Sequence, residues 1–157
     1  MTHWREHFWK GCFLKGHFGK DIDMSIIYKE IKEIPVDQIE ELFLSVGWES
    51  GKYPERIEKA LRNSSLVISA WDGDKLVGLV RSLDDGELCA FIHYLLVRPD
   101  YQGFHIGAEL MNRLMSHYTE YLYVKIMPSD PKTIPFYEKF GFERYDNYSA
   151  MERKNFT

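Results

Sequence analysis

The residues best suited to bind a charged ligand lie in a loop between a predicted strand and a predicted helix. The segment runs from Leu95 to Leu110 and contains Gly103 and Gly107. A loop that enters a helix presents free backbone N–H groups at the positive end of the helix dipole, which favours phosphate oxygens. The two glycines permit a close approach of the backbone to a ligand. The alternative is an ordinary glycine turn before a surface helix.

The elements that must position this loop follow from the pattern of apolar and turn residues. Apolar runs and alternation predict strands, and apolar residues at helical spacing after a proline predict helices. The predicted strands are 25–31, 66–71, 75–82, 88–97 and 121–127, and the predicted helices are 35–46, 54–62, 106–118 and 130–140. The tail, 142–153, can supply one or two final strands. Hairpins followed by strand–helix–strand crossovers predict an α/β protein with a mixed sheet flanked by helices, in three layers.

The composition indicates one folded domain and argues against several classes of protein. The chain has 157 residues, of which 45% are hydrophobic and 28% are charged, and its formal net charge is −4. This apolar content suffices for a core without disulfides or structural metals. A mildly acidic chain is a poor candidate for binding nucleic acid by bulk charge, although a local basic patch is left open. Cys12 and Cys89 form no CxxC pair, and no zinc-site spacing occurs, so no metal is predicted.

The sequence shows no sign of a membrane span or a secretory signal. Apolar runs stay well short of the roughly 20 residues that a membrane-spanning helix needs. Lys10 and Lys15 interrupt the apolar stretch near the start. Two isolated thiols fit a reducing compartment. We therefore expect a soluble, cytoplasmic protein that does not enter a membrane.

Residues 1–23 differ in composition from the rest, because aromatic and basic residues alternate there between glycines. One interpretation is an N-terminal extension or leader, with Met24 as an alternative start and 24–157 as the domain. The other is a short amphipathic element, since Trp4, Phe8 and Cys12 are spaced by four residues. Such an element could drive assembly, cover a hydrophobic surface or touch a membrane surface.

Two segments of the chain resemble motifs of a known enzyme family. Gln102, His105 and Gly107 match the Arg/Gln-x-x-Gly-x-Gly/Ala motif with which GNAT-type N-acetyltransferases bind acetyl-CoA. Residues 130–142 resemble the family's later motif, Asn-x-x-Ala-x-x-Leu-Tyr-x-Lys-x-Gly-Phe. The motifs occur in the family's order, and the predicted elements follow the order of the GNAT fold. The resemblance extends from Met24 to the C-terminus and implies a GNAT-like acyl-CoA N-acyltransferase fold.

The resemblance implies an enzyme that transfers the acetyl group of acetyl-CoA to a primary amine by direct attack, without a metal. The acceptor would be a small-molecule amine or a protein amino group. Tyr137 matches the family's general-acid tyrosine, and a tyrosine with an ordinary pKa of about 10 is protonated at neutral pH and can donate to the leaving sulfur. A backbone amide near Leu96 or Val97 would polarise the thioester carbonyl. The alternative for Tyr137 is a packing role.

His93 is the residue assigned to accept the proton of the amine. Its position matches a histidine of the family's arylalkylamine branch, and a neutral imidazole could take the proton directly or through a water. Strand alternation predicts that its side chain shares a face of the sheet with Leu95 and Val97. The alternatives are a histidine hydrogen-bonded within the sheet, and Glu87 as the proton acceptor.

The cofactor contacts that the resemblance implies run from the strand into the helix. The expected residues are Leu95, Val97, Gln102, Gly103, Phe104, His105, Ile106 and Gly107. The main chain of the first two would contact the pantetheine arm, and the others would surround the pyrophosphate. Arg98 either neutralises phosphate charge or is a solvated surface residue. Aromatic residues near the expected acceptor pocket would suit an apolar or aromatic amine, unless they only pack the core or rim; these are Trp48, Tyr53, Tyr145 and Tyr148.

Two residues depart from the family motifs. His105 stands at a glycine position, where a non-glycine residue is tolerated if its φ is negative, and its side chain would then lie beside the pyrophosphate or crowd it. Asp130 stands where many relatives have Asn, and an ionised carboxylate cannot donate a hydrogen bond, although it can cap a helix. These departures motivate an alternative function, a catalytically degenerate domain that binds or senses acyl-CoA. Because members of the family are often dimers, a homodimer is left open.

Overall fold

The computed structural model of the chain describes residues 25–147 and 149–155, which fall into two compact units. The first unit ends at Ile126, and the second begins at Met127. The helices are α1 (Val36–Ser45), α2 (Pro54–Arg62), α3 (Ile106–Ser116) and α4 (Ile134–Glu138), and the strands are β1 (Ile26–Lys29), β2 (Leu66–Asp72), β3 (Lys75–Asp84), β4 (Cys89–Val97) and β5 (Tyr123–Ile126). The predicted leader, residues 1–23, lies outside the described residues.

The ends of α1 and α2 are set by proline and glycine. Pro35 precedes α1, and Pro54 is the first residue of α2, where its missing N–H removes no helical hydrogen bond. Gly47 follows α1 with a φ of +73°, a left-handed conformation that glycine adopts without strain. These residues confirm the predicted start of α2 and the predicted end of α1.

The first unit contains a sheet of five strands in the order β1-β2-β3-β4-β5. The pairs from β1 to β4 are antiparallel, and β5 pairs parallel to β4. Antiparallel neighbours can be joined by short turns, whereas the parallel pair needs a crossover, which α3 supplies. The predicted mixed sheet is therefore confirmed.

Helices cover both faces of this sheet. On one face, α1 and α2 pack against β2, β3 and β4 around a hydrophobic core. Its fully buried members include Ile39, Leu42, Phe43, Leu61 and Leu79. On the other face, α3 crosses β3 at Gly78, where an added Cβ would lie 3.2 Å from Leu110 and 3.3 Å from Ile106. Glycine at this position lets α3 approach the sheet, and the resulting three layers are those predicted.

One extra residue interrupts the pairing of β3 with β4. Val80 pairs with Leu95 and Arg81 pairs with His93, so Tyr94 is inserted between the two pairs. Tyr94 has a φ of +62°, in the left-handed region. We call His93–Leu95 the β4 bulge. A bulge of this kind shifts the alternation of side chains by one residue, so the two ends of β4 do not follow a single alternation.

The second unit contains less regular structure than the sequence predicted. In place of one helix over 130–140, a 3₁₀ turn at Pro131–Thr133 leads into the five-residue α4. Pro135 has no N–H to donate to the Pro131 carbonyl, as a continuous helix from residue 131 would require, which explains the short elements. The strands predicted in the tail are absent from the described residues 142–147 and 149–155. Apolar residues recur there at every third position, whereas a half-buried strand needs alternation at every second position.

Candidate functional site

The loop from Arg98 to His105, which we call the α3 loop, ends at a helix N-terminus with free N–H groups. The first intrahelical bond of α3 joins the Glu109 N–H to the His105 carbonyl at 3.0 Å. The N–H groups of residues 106–108 precede this bond and have no partner within the helix. His105, at the N-cap, forms no side-chain capping hydrogen bond. These groups and the positive end of the helix dipole can bind an anion.

Two residues of the α3 loop have positive φ. Gly103 has a φ of +87°, and an added Cβ would meet nothing within 4 Å, so the backbone conformation alone requires glycine. His105 has a φ of +62° and lies in the left-handed region. The condition under which the sequence allows a non-glycine residue here, a negative φ, is therefore not met at His105. The chain enters α3 through a left-handed residue, and the exposed side chain lets histidine adopt this conformation at the cost of local strain.

The α3 loop is anchored at two points. The Gln102 side-chain amide donates to the Val97 carbonyl at 3.0 Å. The Tyr101 hydroxyl donates to the Asp72 carboxylate at 2.7 Å, and the Lys75 ammonium lies 5.1 Å from the centre of the Tyr101 ring. The loop is thus held by its own preceding strand and by the β2–β3 hairpin.

Arg98 has a structural role in the first unit. Its Nε donates to the Leu76 carbonyl at 2.7 Å, and its Nη2 pairs with the Glu41 carboxylate at 2.9 Å. The side chain is only 12% exposed. Arg98 joins α1 to β3, which differs from both roles considered for it, a phosphate contact and a solvated surface residue.

The strands β4 and β5 separate before β4 ends. Their parallel pairing runs from Cys89 opposite Tyr123 to Ile92 opposite Ile126. Because β4 continues to Val97, its last five residues extend past the end of β5. Within the first unit, Leu95 and Val97 therefore have no strand partner on the β5 side, although the Val97 carbonyl accepts from the Gln102 side chain. An extended backbone edge of this kind can hydrogen-bond to a ligand that carries amide groups.

The β4 bulge reverses the predicted orientation of His93. Arg81, its partner in β3, donates to Ala60 and therefore faces α2, and directly opposed residues share a face. Val97 pairs with Gly78, which faces α3. His93 thus lies on the face opposite Val97 and Leu95, and the prediction that the three share a face is wrong. The extra residue at Tyr94 is the physical reason.

The His93 ring is hydrogen-bonded to Arg81. Both Nε and Nη2 of the guanidinium donate to Nδ1, at 3.2 and 2.6 Å. Burial, and then the nearby Arg81 charge, lower the pKa of His93 from 6.5 to about 4. His93 is therefore neutral at pH 7. Glu87, the alternative proton acceptor, lies exposed in the β3–β4 turn, where its N–H donates to Asp85 at 3.0 Å.

Aromatic rings surround the β4 bulge on the face of α1 and α2. The Tyr94 ring centre lies 5.0 Å from Phe43, 5.3 Å from Trp48 and 4.0 Å from His93. Phe43 is fully buried, whereas the other three rings are half-buried. Trp48, one of the residues expected near the acceptor pocket, thus belongs to this cluster. Tyr53 is more exposed and lies beside Arg56, 6.0 Å from ring centre to guanidinium carbon.

The second unit contains the other predicted catalytic residue, Tyr137. It lies in α4, half-buried, with its ring centre 5.1 Å from Phe136 and 6.3 Å from Phe142. Tyr145 is exposed, and Tyr148 lies outside the described residues.

Asp130 caps the 3₁₀ turn that precedes α4. Its carboxylate accepts from the Lys132 N–H at 2.9 Å, and its carbonyl accepts from the Thr133 hydroxyl at 2.7 Å. The capping role that the sequence offered for this residue is confirmed.

Sequence reasoning missed two residues of this region, Arg81 and Tyr94. Arg81 is only 8% exposed, although it is charged. A charged residue within an apolar strand is a usable signal, because such side chains are rarely buried without partners. No pattern in the sequence marks Tyr94 as a bulge, because non-glycine residues seldom adopt positive φ.

Comparison with known proteins identifies the family. The Acetyltransferase (GNAT) family model matches residues 31–142, more than half of the chain. The chain belongs to the GNAT acetyltransferase family. The match includes the α3 loop and the segment 130–142, which confirms the resemblance that the two motifs indicated.

Related proteins agree with this assignment. The chain is 31% identical over 144 residues to an uncharacterized N-acetyltransferase, ycf52, of Porphyra purpurea, a match that covers 87% of this chain and 82% of that one. The fold of this chain is similar to that of a GNAT-family acetyltransferase from Streptococcus pneumoniae, with a TM-score of 0.71 and 30% identity. The match covers 83% of this chain and 98% of that one. An aminoglycoside 6′-N-acetyltransferase solved with coenzyme A shares the fold over 58% of this chain and 54% of that one, with 24% identity and a TM-score of 0.50.

The family uses acetyl-CoA as its co-substrate. In the described part of the chain, no cluster of His, Cys, Asp and Glu could hold a metal ion. Among the same residues, every helix is too short or too polar to span a membrane.

Proposed function

We propose that the chain is an acetyl-CoA-dependent N-acetyltransferase that acts on a primary amine by direct attack. The observation that supports it most is the free N-terminus of α3 next to the end of β4 that extends past β5. N–H donors suit a pyrophosphate, and an unpaired backbone edge suits the amides of a pantetheine arm. Both features belong to consecutive segments of the first unit, so one extended ligand can use both.

The residues present fit acetyl-CoA, which supplies the activated acetyl thioester. The main chain of Leu95 and Val97 would hold the pantetheine arm. The pyrophosphate would lie against the residues of the loop and the first turn of α3, namely Gln102, Gly103, Phe104, His105, Ile106 and Gly107. A backbone N–H near Leu96 or Val97 would stabilise negative charge on the thioester oxygen.

Calorimetric titration with acetyl-CoA and with coenzyme A tests this binding mode. The informative variant is Gly103→Val, because a β-branched residue cannot adopt a φ of +87° without strain and must move the loop. The matched control is Gly86→Val, which has a φ of +81° in the β3–β4 turn and open space around it. We expect loss of binding only in Gly103→Val. Equal binding by both variants would contradict the proposed site.

We propose Tyr137 as the proton donor to the departing sulfur, because it occupies the tyrosine position of the family's later motif. Tyr137→Phe should lower kcat about 100-fold and leave acetyl-CoA binding nearly unchanged, since general-acid catalysis contributes about 10²–10⁴-fold. Tyr123→Phe, an exposed tyrosine in β5, is the control and should retain activity. Full activity of Tyr137→Phe would remove this role.

Two observations favour a second candidate, a domain that binds acyl-CoA without turnover. His105 places a side chain where family members have glycine, and the Asp130 carboxylate is engaged as a cap. Release of free thiol from acetyl-CoA, measured with a panel of small amines and with peptides bearing free amino groups, separates the two functions. Turnover with any acceptor supports the enzyme, and binding without turnover supports the alternative.

The proposal keeps a cytoplasmic location, no membrane or nucleic-acid partner, and an acceptor that is either a small amine or a protein amino group. Fractionation of the expressing cells tests the location, and the amine and peptide panels separate the acceptors. The homodimer that the family resemblance left open is tested by sedimentation of the full chain.

A further inference from the structure

Arg81 is a buried cation whose contacts converge on His93. Its Nη1 donates to the Ala60 carbonyl at 3.3 Å and to the Ser64 hydroxyl at 3.2 Å, which holds the guanidinium in place against α2. Its other two nitrogens, Nε and Nη2, donate to Nδ1 of His93. The Tyr94 ring covers the guanidinium at 4.8 Å. The side chain is therefore fixed on several sides, and its orientation toward His93 is set by the fold.

This geometry determines where the proton of His93 lies. A guanidinium has only donors, so the nitrogen that it contacts must be an acceptor. Nδ1 is therefore unprotonated, and a neutral ring carries its proton on Nε2. Protonation of Nδ1 would place a second cation against a buried first one, and burial together with the Arg81 charge lowers the pKa of His93 to about 4.

The second nitrogen of His93 is accessible. Among the described residues, the hydrogen bonds to the His93 ring use Nδ1, and no buried side-chain nitrogen or oxygen lacks a partner. Nε2 of this half-buried ring therefore reaches the surface on the face that carries Trp48 and Tyr94. It can offer an N–H to a molecule on that side, but it has no lone pair with which to accept a proton.

We propose that Arg81 is a positioning residue that fixes His93 as a neutral imidazole with its proton on Nε2, so that His93 donates a hydrogen bond to a water beside the acceptor amine. The catalytic part of this inference rests on the proposed function. It replaces the role predicted from the sequence, in which His93 accepts the ammonium proton. The ammonium of the acceptor then gives its proton to solvent, His93 orients the neighbouring water, and the lone pair of the neutral amine stays free to attack the thioester carbon.

Long-range ¹H–¹⁵N NMR of the full chain, without acetyl-CoA or amine, tests the tautomer directly. His93→Gln assigns the signal by its disappearance, and His117→Gln, which alters an exposed histidine paired with Glu30, is the control. We expect His93 at neutral pH to show a protonated Nε2 and an unprotonated Nδ1. An Nδ1–H tautomer or an imidazolium would overturn the proposal, whether or not the chain is an enzyme.

Substitution of Arg81 tests its positioning role with the same spectrum. Arg81→Gln keeps one side-chain donor near Nδ1, whereas Arg81→Leu removes all of them. We expect the single tautomer to be kept in Arg81→Gln and to become a mixture in Arg81→Leu, with each fold checked by thermal unfolding. An unchanged His93 signal in a folded Arg81→Leu would show that Arg81 does not set the tautomer.

Substitution of His93 distinguishes a donor from a proton acceptor once turnover is established. Glutamine supplies an N–H donor but no basic nitrogen, and alanine supplies neither. A donor role predicts that kcat/KM falls roughly threefold in His93→Gln and about tenfold in His93→Ala, as expected for a neutral hydrogen bond. A proton-acceptor role predicts that both variants lose about 100-fold or more. Equal losses in the two variants would overturn the proposal.

Discussion

Two non-glycine residues in the described part of the chain have positive φ, and both have a value of +62°. His105 ends the α3 loop with an exposed side chain and no capping bond, whereas Tyr94 forms the β4 bulge and packs against Phe43, Trp48 and His93. The two residues therefore share a strained backbone conformation but differ in their surroundings. At Tyr94, side-chain packing offsets the strain. At His105, the strained conformation leads the chain into α3, whose first N–H groups are free.

The difference shows how each half of the candidate site obtains its chemistry. In the proposed function, the α3 loop binds its ligand through backbone donors, and side chains such as Tyr101 and Gln102 anchor the loop. In the role proposed for His93, the β4 bulge would act through side chains that neighbouring elements orient, so its chemistry would depend on the packing of α2, β3 and β4.

Replacement of Tyr94 should have the largest effect on stability. Tyr94→Gly relieves the left-handed strain but removes the ring and its contact with Arg81, and we expect a net destabilisation of about 3 kcal/mol. Tyr94→Phe keeps the ring and should stay close to the wild type. Urea unfolding measures both variants. A Tyr94→Gly variant more stable than the wild type would mean that packing does not offset the strain at the bulge.

The pH dependence of stability should report the environment of His93. Its pKa is about 4 in the folded protein, against an ordinary value of 6.5 for the unfolded chain, so the unfolded state binds the proton first as the pH falls. The contribution of the neutral His93 ring to the free energy of unfolding is complete above pH 6.5, and it is lost as the pH falls from about 6.5 to about 4. After allowance for partial exposure of the ring, we expect the free energy of unfolding of the wild type to fall by about 2 kcal/mol more than that of His93→Gln over this pH range. If the free energy of unfolding falls with pH equally in the wild type and in His93→Gln, the lowered pKa of His93 is contradicted.

Loss of an anchor of the α3 loop should have a smaller effect. Tyr101→Phe removes the hydrogen bond to the Asp72 carboxylate, which contributes about 1 kcal/mol. Because the bond orients the loop and lies outside the reacting groups, the KM for acetyl-CoA should rise about fivefold while kcat stays the same. Asp72→Asn, which weakens the same bond, should act in the same direction. A fall in kcat at constant KM would show that the loop takes part in a later step.

Replacement of His105 by glycine should have the smallest effect on stability. The sign of the change should be opposite to that expected for Tyr94→Gly. His105→Gly relieves strain but increases the entropy of the unfolded chain, so we expect a net stabilisation of about 0.5 kcal/mol. His105→Ala, which keeps the strain, is the control and should not be stabilised. If glycine destabilises the protein, the His105 side chain contributes packing or hydrogen bonding as Tyr94 does, and the contrast between the two regions fails.

The sequence predicted the first unit better than the second because its signals are local. Alternation, prolines 35 and 54 and Gly47 indicated the strands and the ends of the first two helices, and the loop before α3 was identified from its glycines. In the second unit, Pro135 interrupts the predicted helix, which becomes a 3₁₀ turn and a short α4. The tail lacked the alternation that would have identified strands.

By itself, the sequence determined the order of elements, the mixed sheet, the loop that presents N–H groups and the family motifs, because these depend on residues close together in the chain. Only the tertiary structure decided which face of the sheet His93 occupies and which of its nitrogens carries the proton. Both depend on one inserted residue, Tyr94, and on Arg81, twelve positions earlier in the chain than His93. The protonation state of a side chain is set by the charges and burial around it, which arise only after distant segments have packed together.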